Sequence, residues 1–224
     1  MYRYDTHVHT SLASACARNT GIEMVRAYKE KGYTGIFITD HFFNGNTCID
    51  TTLPWKDKIE QFCKGYEDAY IEGQKVGLDV FFGFEYAVGA ADFLVYNIDK
   101  QWLMEHEDID KYSPVNAFRL FRDSGGFVVH AHPFRQRDYI SHIKLCPDWV
   151  DAVEIYNGSH GVDSVFDERA KWYANSYGFP VTAGSDTHSV AAMYHTGIMT
   201  SEKIINISEY KKLVQESKIM LFSE

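Results

Sequence analysis

Cysteine, proline and long apolar runs are scarce in this chain, and basic residues are outnumbered by acidic ones. Its four cysteines, Cys16, Cys48, Cys63 and Cys146, are scattered with no Cys-x-x-Cys pair, the usage expected of reduced thiols in a cytoplasmic protein. With five prolines and no Pro/Gly/Ser-rich stretch or shift in composition, nothing divides the 224 residues, and residues 1–224 read as one domain. No signal peptide is evident, and no apolar run is long enough to cross a bilayer, so no membrane partner is expected. Lys and Arg number 22 against 31 Asp and Glu, a net charge of -9, which argues against broad attraction to nucleic acid or anionic membrane. A small anionic substrate is still allowed, because a bound metal can reverse the sign locally.

What the chain does have is an alternation of short β-branched or aromatic runs with amphipathic segments of helical period. Thr20 and Glu23 form a capping box for a first helix that carries Ile22, Val25 and Tyr28 on one face and stops near Gly32. Pro54 suits the start of a long helix that ends at Gly77, Ser113-Pro114 opens another, and two more are expected over 162–177 and 208–217. Strands are expected at 4–8, 35–39, 79–84, 93–98, 127–129, 152–156 and 181–183. Seven strands separated by connections long enough for parallel crossovers favour an α/β fold, a (β/α) barrel.

In such a barrel the chemistry gathers at the C-terminal strand ends, and metal-competent residues recur there. Asp5, His7 and His9 alternate through the first strand, so two imidazoles can share a face. Asp40-His41 closes the second strand, Glu85 the third, His130 and His132 the fifth, Glu154 and Asn157 the sixth, Asp186 and His188 the seventh. Imidazoles and carboxylates without thiolates at motif spacing suit zinc, manganese or iron, and several carboxylates permit bridging between two or three divalent metals.

Five motifs in order, Asp5-Thr6-His7-Val8-His9-Thr10, Ile38-Thr39-Asp40-His41, Gly83-Phe84-Glu85, Ala131-His132-Pro133 and Gly184-Ser185-Asp186-Thr187-His188, closely resemble those of the PHP (polymerase and histidinol phosphatase) family. The resemblance implies a distorted seven-stranded TIM-like barrel, up to three metals and a histidinol-phosphatase-like phosphoesterase. It implies that His7, His9, Glu85 and Asp186 hold one metal, that Glu85 bridges to a second bound by His132, and that His41 and His188 hold the third. Where many relatives place His or Asp just after the opening motif, this chain has Ala15 and Cys16. The third metal then either lacks a ligand or recruits Cys16, whose alternative is a small buried residue. Near the fourth strand, Asp92 and Asp99 are either ligands or solvated turn carboxylates.

Arg18 and Arg135 are expected to clamp phosphate, Arg137 less so, and Glu154 and Asn157 to bind substrate or orient a ligand. Asp186, His188 and Glu85 are the expected catalytic groups. His160 is a candidate proton donor to a leaving alkoxide, His195 a weaker one. His130 is expected to support the barrel interior, and His106 and His142 to be surface residues. Phe42-Phe43 and Asn44-Gly45-Asn46 either cover the pocket or pack on the rim. The expected reaction is attack of a metal-held hydroxide on the phosphorus of a small phosphomonoester or short phosphodiester. An amidohydrolase-like attack on a C–N bond and a non-catalytic metal module are the alternatives. A nucleic-acid partner beyond a nucleotide or short oligonucleotide is not expected.

Overall fold

The computed structural model describes residues 1–138, 140–161 and 164–223. Strands β1 (Tyr2–Val8), β2 (Gly35–Ile38), β3 (Asp79–Val88), β4 (Ala91–Tyr96), β5 (Phe127–Ala131), β6 (Ala152–Asn157), β7 (Val181–Gly184), β8 (Thr196–Thr200) and β9 (Met220–Ser223) form one sheet in the order β7-β6-β5-β4-β3-β2-β1-β8-β9. Helices α1 (Gly21–Glu30), α2 (Trp55–Val76), α3 (Lys100–Glu105), α4 (Pro114–Asp123), α5 (Val165–Tyr177) and α6 (Ile207–Gln215) accompany it. The sheet curls into a nearly closed barrel. His9 N donates to Thr187 O at 3.0 Å and Asp186 N to His7 O at 2.9 Å, so β1 meets β7 at one end. At the other end the start of β1 pairs antiparallel with β8 instead.

The expected barrel is therefore present, with two differences. The two short strands β8 and β9 were not foreseen, and β4 is antiparallel to both β3 and β5. Only Gly89 and Ala90 separate β3 from β4, and Gly89 takes φ +64°. A two-residue connection can make a hairpin but not a parallel crossover. The reversal decides the two open carboxylates: Asp92, at the start of β4, stands opposite Ala87 at the functional end. Asp99 lies at the far end and caps α3 by accepting from Trp102 N at 2.8 Å.

Alternation sorts the barrel's faces. On β3, Val80, Phe82, Phe84 and Tyr86 pack outward under the helices, leaving Phe81, Gly83 and Glu85 inward. The lower interior is filled by Tyr4, Phe37, Leu94, Tyr96 and Val129 over Tyr210 of α6. Outside, Phe62, Phe84, Phe93, Phe118 and Phe121 join α2 and α4 to the sheet, each contributing about 1.5–3 kcal/mol by burial. His130 also points outward, stacked on Phe93 at 4.8 Å and edge-on to Tyr173 of α5. It supports the helix–sheet layer, not the barrel interior, and burial pushes its pKa down to about 3.

The helix ends follow the expected punctuation. Thr20 and Glu23 form the capping box of α1, and Gly77 ends α2 at φ +74°. The Ser113 side chain, by contrast, caps nothing, and Pro114 simply occupies the first turn of α4. The expected start of the penultimate helix at Val162 lies outside the described residues; α5 is described from Val165, capped by Ser164. Within α2, a Cβ on Gly65 would collide with Thr10 Oγ1 and sit 3.3 Å from Asp40 Oδ2. Gly65→Ala is therefore expected to destabilise the fold by about 1–3 kcal/mol, read as a lower urea midpoint at unchanged slope.

Candidate metal centre

Five imidazoles and two carboxylates converge where the strands of the barrel end. Within β1 the pairing register shifts between Asp5 and Val8. Val8 packs outward with Met24, Val25 and Tyr28 of α1, while His7 and His9 face the centre, their Nε2 atoms 3.1 Å apart. Asp5 does not join them. Its carboxylate accepts from Tyr28 Oη at 2.6 Å, Ser185 N at 2.9 Å and His7 N at 3.1 Å, so it fixes the backbone that carries His7.

Glu85 stands between two groups of rings. Its Oε1 lies 3.1 Å from His132 Nε2 and 3.5 Å from His7 Nε2, and its Oε2 lies 2.7 Å from His41 Nδ1 and 3.5 Å from His9 Nε2. Asp186 Oδ1 is 3.2 Å from His9 Nε2 and 3.4 Å from His7 Nε2. His188 stacks on His9 at 4.2 Å. Two of these residues occupy left-handed backbone, His132 at φ +28° and Asp186 at φ +58°. Strain of that kind gathers at functional sites, and at His132 it has a visible use. Strict alternation would aim His132 outward with His130; the positive φ turns it inward.

The far nitrogens of three rings are already engaged. His7 Nδ1 meets Glu154 Oε1 at 3.0 Å, His9 Nδ1 meets Ser14 Oγ at 3.0 Å, and His188 Nδ1 meets Asp186 O at 2.8 Å. Partners on Nδ1 fix the ring and leave Nε2 turned to the centre, as metal-binding histidines require. Ser14 in turn donates to Asp40 Oδ1 at 2.6 Å and accepts from His41 N at 3.0 Å. Gly184 makes the His7–Glu154 contact feasible, since a Cβ there would collide with His7 Cβ and lie 2.7 Å from Glu154 Oε1.

Electrostatics mark the cluster as an unfinished cation site. Burial works against charge on Glu85, yet His41 and His7 hold its carboxyl well below the usual range. Asp186 is likewise held low, by Arg135 and His7 against the effect of burial. Burial disfavours charge on His7 too, but the Glu154, Asp186 and Glu85 carboxylates raise it well above the ordinary imidazole value. Burial, with His188 and His41 nearby, pushes His9 the other way. Even so, Glu85 Oε2 and Asp186 Oδ1 are buried with no hydrogen-bond donor aligned on them. Buried acceptors of that kind need an explanation, and a bound cation supplies one. Among the described residues three donor groups each lie within 4.8 Å: His9, His41 and His188; His7, Glu85 and His132; His7, His9 and Asp186. This nitrogen and oxygen set fits divalent metals.

Above the cluster opens a cavity of about 840 Å³ whose wall includes Cys16, His41, Asp92, Arg135, Asp186 and His188. Arg135 reaches Asp186 Oδ2 as an ion pair and donates to Ser159 Oγ at 2.7 Å. Burial and then Glu85 push Asp92 up to about 7. Arg137 and the exposed His142 also line the cavity, as do Asn44, Gly45 and Asn46, while Phe42 and Phe43 pack into the core. The other expected site residues sit elsewhere. Arg18 and His195 are not on the cavity wall; the Arg18 backbone donates to His188 O at 2.8 Å. Glu154 and Asn157 lie behind the wall, joined by a 2.8 Å hydrogen bond. His160 pairs through Nδ1 with Asp167 of α5 at 2.7 Å and presents its ring edge-on to His132 at 6.4 Å. His106 stacks on Trp102 at 3.7 Å. Ser14 and Ser159 escaped sequence reasoning, because a hydroxyl that positions a ligand leaves no periodic or motif signal.

Glu154→Gln is expected to weaken metal affinity by about 10–100-fold, the usual effect of removing a carboxylate behind a ligating imidazole. Competition with a chromophoric chelator measures it.

The class the fold and the site define is an α/β barrel with a cluster of potential metal donors at its strand ends. No family model and no curated protein matches the sequence, but solved structures do. A two-domain protein from Bacteroides vulgatus containing a candidate PHP-like metal-dependent phosphoesterase superposes at TM-score 0.72 and 15% identity. The match covers 100% of this chain, which spans 65% of that protein's length. A candidate metal-dependent phosphoesterase from Bifidobacterium adolescentis matches at TM-score 0.60 and 15% identity, over 96% of both chains. An amidohydrolase from Chromobacterium violaceum, with bound sulfate and no metal, matches at 0.57 and 15%, over 97% of both. The chain thus has the PHP-like α/β barrel fold. No helix among the described residues is long and apolar enough to cross a membrane.

Proposed function

We propose that the chain is a PHP-type metal-dependent phosphoesterase acting on a small phosphomonoester or short phosphodiester. The observation that carries this reading is the set of three overlapping donor groups, sharing His7 and His9, beneath a cavity whose wall bears Arg135. In it, His7, His9, Glu85 and Asp186 would hold one divalent ion, Glu85 and His132 a second, and His41 and His188 a third. Such ions, as zinc, manganese or iron, neutralise phosphoryl oxygens and lower the pKa of water. The chain's own groups do the rest. Arg135 is placed to bind a phosphoryl oxygen through the guanidinium that now pairs with Asp186. Glu154, Ser14 and the Asp186 carbonyl hold three imidazoles in their working tautomer. A cavity of about 840 Å³ suits a small molecule or a few nucleotides.

The likeness to an amidohydrolase supports a second reading, hydrolysis of a C–N bond by the same donors. Parallel assays of metal-quantified protein on an aryl phosphate monoester, its diester and a cyclic amide separate the two. Metal-dependent release of aryl alcohol supports the first reading. Turnover of the amide alone replaces it with the second, and tight metal binding without hydrolysis of any substrate leaves a binding module.

A further inference from the structure

The loop after β1 is fastened on both sides of Cys16. Ala15 N donates to Asn46 O at 2.9 Å, Ala17 N to Ser14 O at 3.1 Å and Arg18 N to His188 O at 2.8 Å. The thiol is thereby held on the cavity wall beside two imidazoles, those of His41 and His188, near enough to interact with both. Those two rings, with His9, form the donor group that lacks a carboxylate of its own. Beside it, Glu85 Oε2 is buried, 1% exposed as a residue, 2.7 Å from His41 Nδ1, and accepts no aligned hydrogen bond. Two imidazoles and one thiolate give three protein donors of the kind zinc takes, with a fourth position of the tetrahedron left open. A thiolate also selects against manganese, which prefers oxygen donors.

We propose that Cys16 Sγ joins His41 and His188 as the third protein ligand of a cation, and that this position takes zinc in preference to manganese. Binding would release the thiol proton, and the thiolate, His41 and His188 would each donate an electron pair to one ion. The other three cysteines offer no such contact: Cys63 and Cys146 are buried in the hydrophobic core and Cys48 faces Ser11 O. The proposal rests on the reading of the barrel end as a metal centre, but not on the bond that is hydrolysed.

The test is a cobalt(II) titration of the metal-stripped full-length chain, followed by absorption. Binding through Cys16 is expected to give a thiolate-to-cobalt charge-transfer band in the near ultraviolet alongside the visible bands of a tetrahedral ion. Cys16→Ser and Cys16→His should lose the first and keep visible bands, while Cys48→Ser keeps both. Cys16→Ser should also lower zinc affinity at one position at least ~10-fold, the lower end of what loss of a mere outer partner produces, and leave manganese affinity unchanged. Absence of the charge-transfer band in the wild type, or its persistence in both Cys16 variants, would overturn the proposal. A wild-type band without phosphoester turnover upholds the ligand and overturns only the reaction; turnover without the band does the reverse.

Discussion

Asp186→Asn is expected to reduce metal-dependent turnover of an aryl phosphate by about a thousandfold or more, with the fold intact. The substitution is chosen for what it leaves alone. Asp186 sits at φ +58°, a conformation that Asn adopts as readily as Asp, and its backbone N still closes the barrel on His7 O. What disappears is one negative charge among His7, His9, His188 and Arg135. Its Oδ1, now buried and without an aligned donor, is the atom best placed to meet a cation beside His7 and His9. Several kcal/mol of charge stabilisation at the transition state correspond to about a thousandfold in rate. Initial rates normalised to bound metal, with a thermal scan to verify folding, provide the measurement. Near-normal activity, once contaminating phosphatases are excluded, would sink the assignment of this cluster as the active site.

Which parts of this arrangement could be read from the sequence follows from how each is encoded. A strand end announces itself when a polar residue terminates an apolar run, so His7, His9, His41, Glu85, His132, Asp186 and His188 were all legible, and the structure brings them together. Strand direction is different. Whether β4 runs parallel or antiparallel depends on a two-residue turn at Gly89-Ala90, and the strand's own pattern is the same either way; hence Asp92 and Asp99 could not be told apart. The inward turn of His132 depends on one backbone angle, and alternation alone would have paired it with His130. Arg18 illustrates the opposite failure: a charged residue in the right loop contributes its backbone to His188 and leaves the cavity wall to Cys16.

Metal loading is expected to raise the thermal midpoint by about 10 °C near neutral pH, and the gap between loaded and stripped protein should widen as pH rises. Saturation about a thousandfold above the dissociation constant adds about 4 kcal/mol, and for a chain of this size each kcal/mol moves the midpoint by roughly 2–4 °C. The pH dependence follows from the imidazoles. In the metal-free chain the carboxylates around His7 and His41 raise both rings well above their ordinary values, overcoming burial. A histidine whose folded pKa exceeds its unfolded one stabilises the fold below the unfolded value, and that contribution is lost as pH climbs through the folded one. Rising pH therefore strips protons from His7 and His41 and leaves Glu85 and Asp186 as buried anions without their internal counter-charge. His9 and His132 are pushed down, chiefly by burial; they oppose folding only as pH falls and need shed no proton for a cation near neutrality. A cation replaces the lost protons on His7 and His41, and it competes with fewer of them at higher pH. Scans of stripped and loaded protein at about pH 6 and about pH 8 test the point. A gap that stays constant or narrows toward the higher pH would mean that the imidazoles around Glu85 and Asp186 are not the groups the metal displaces protons from.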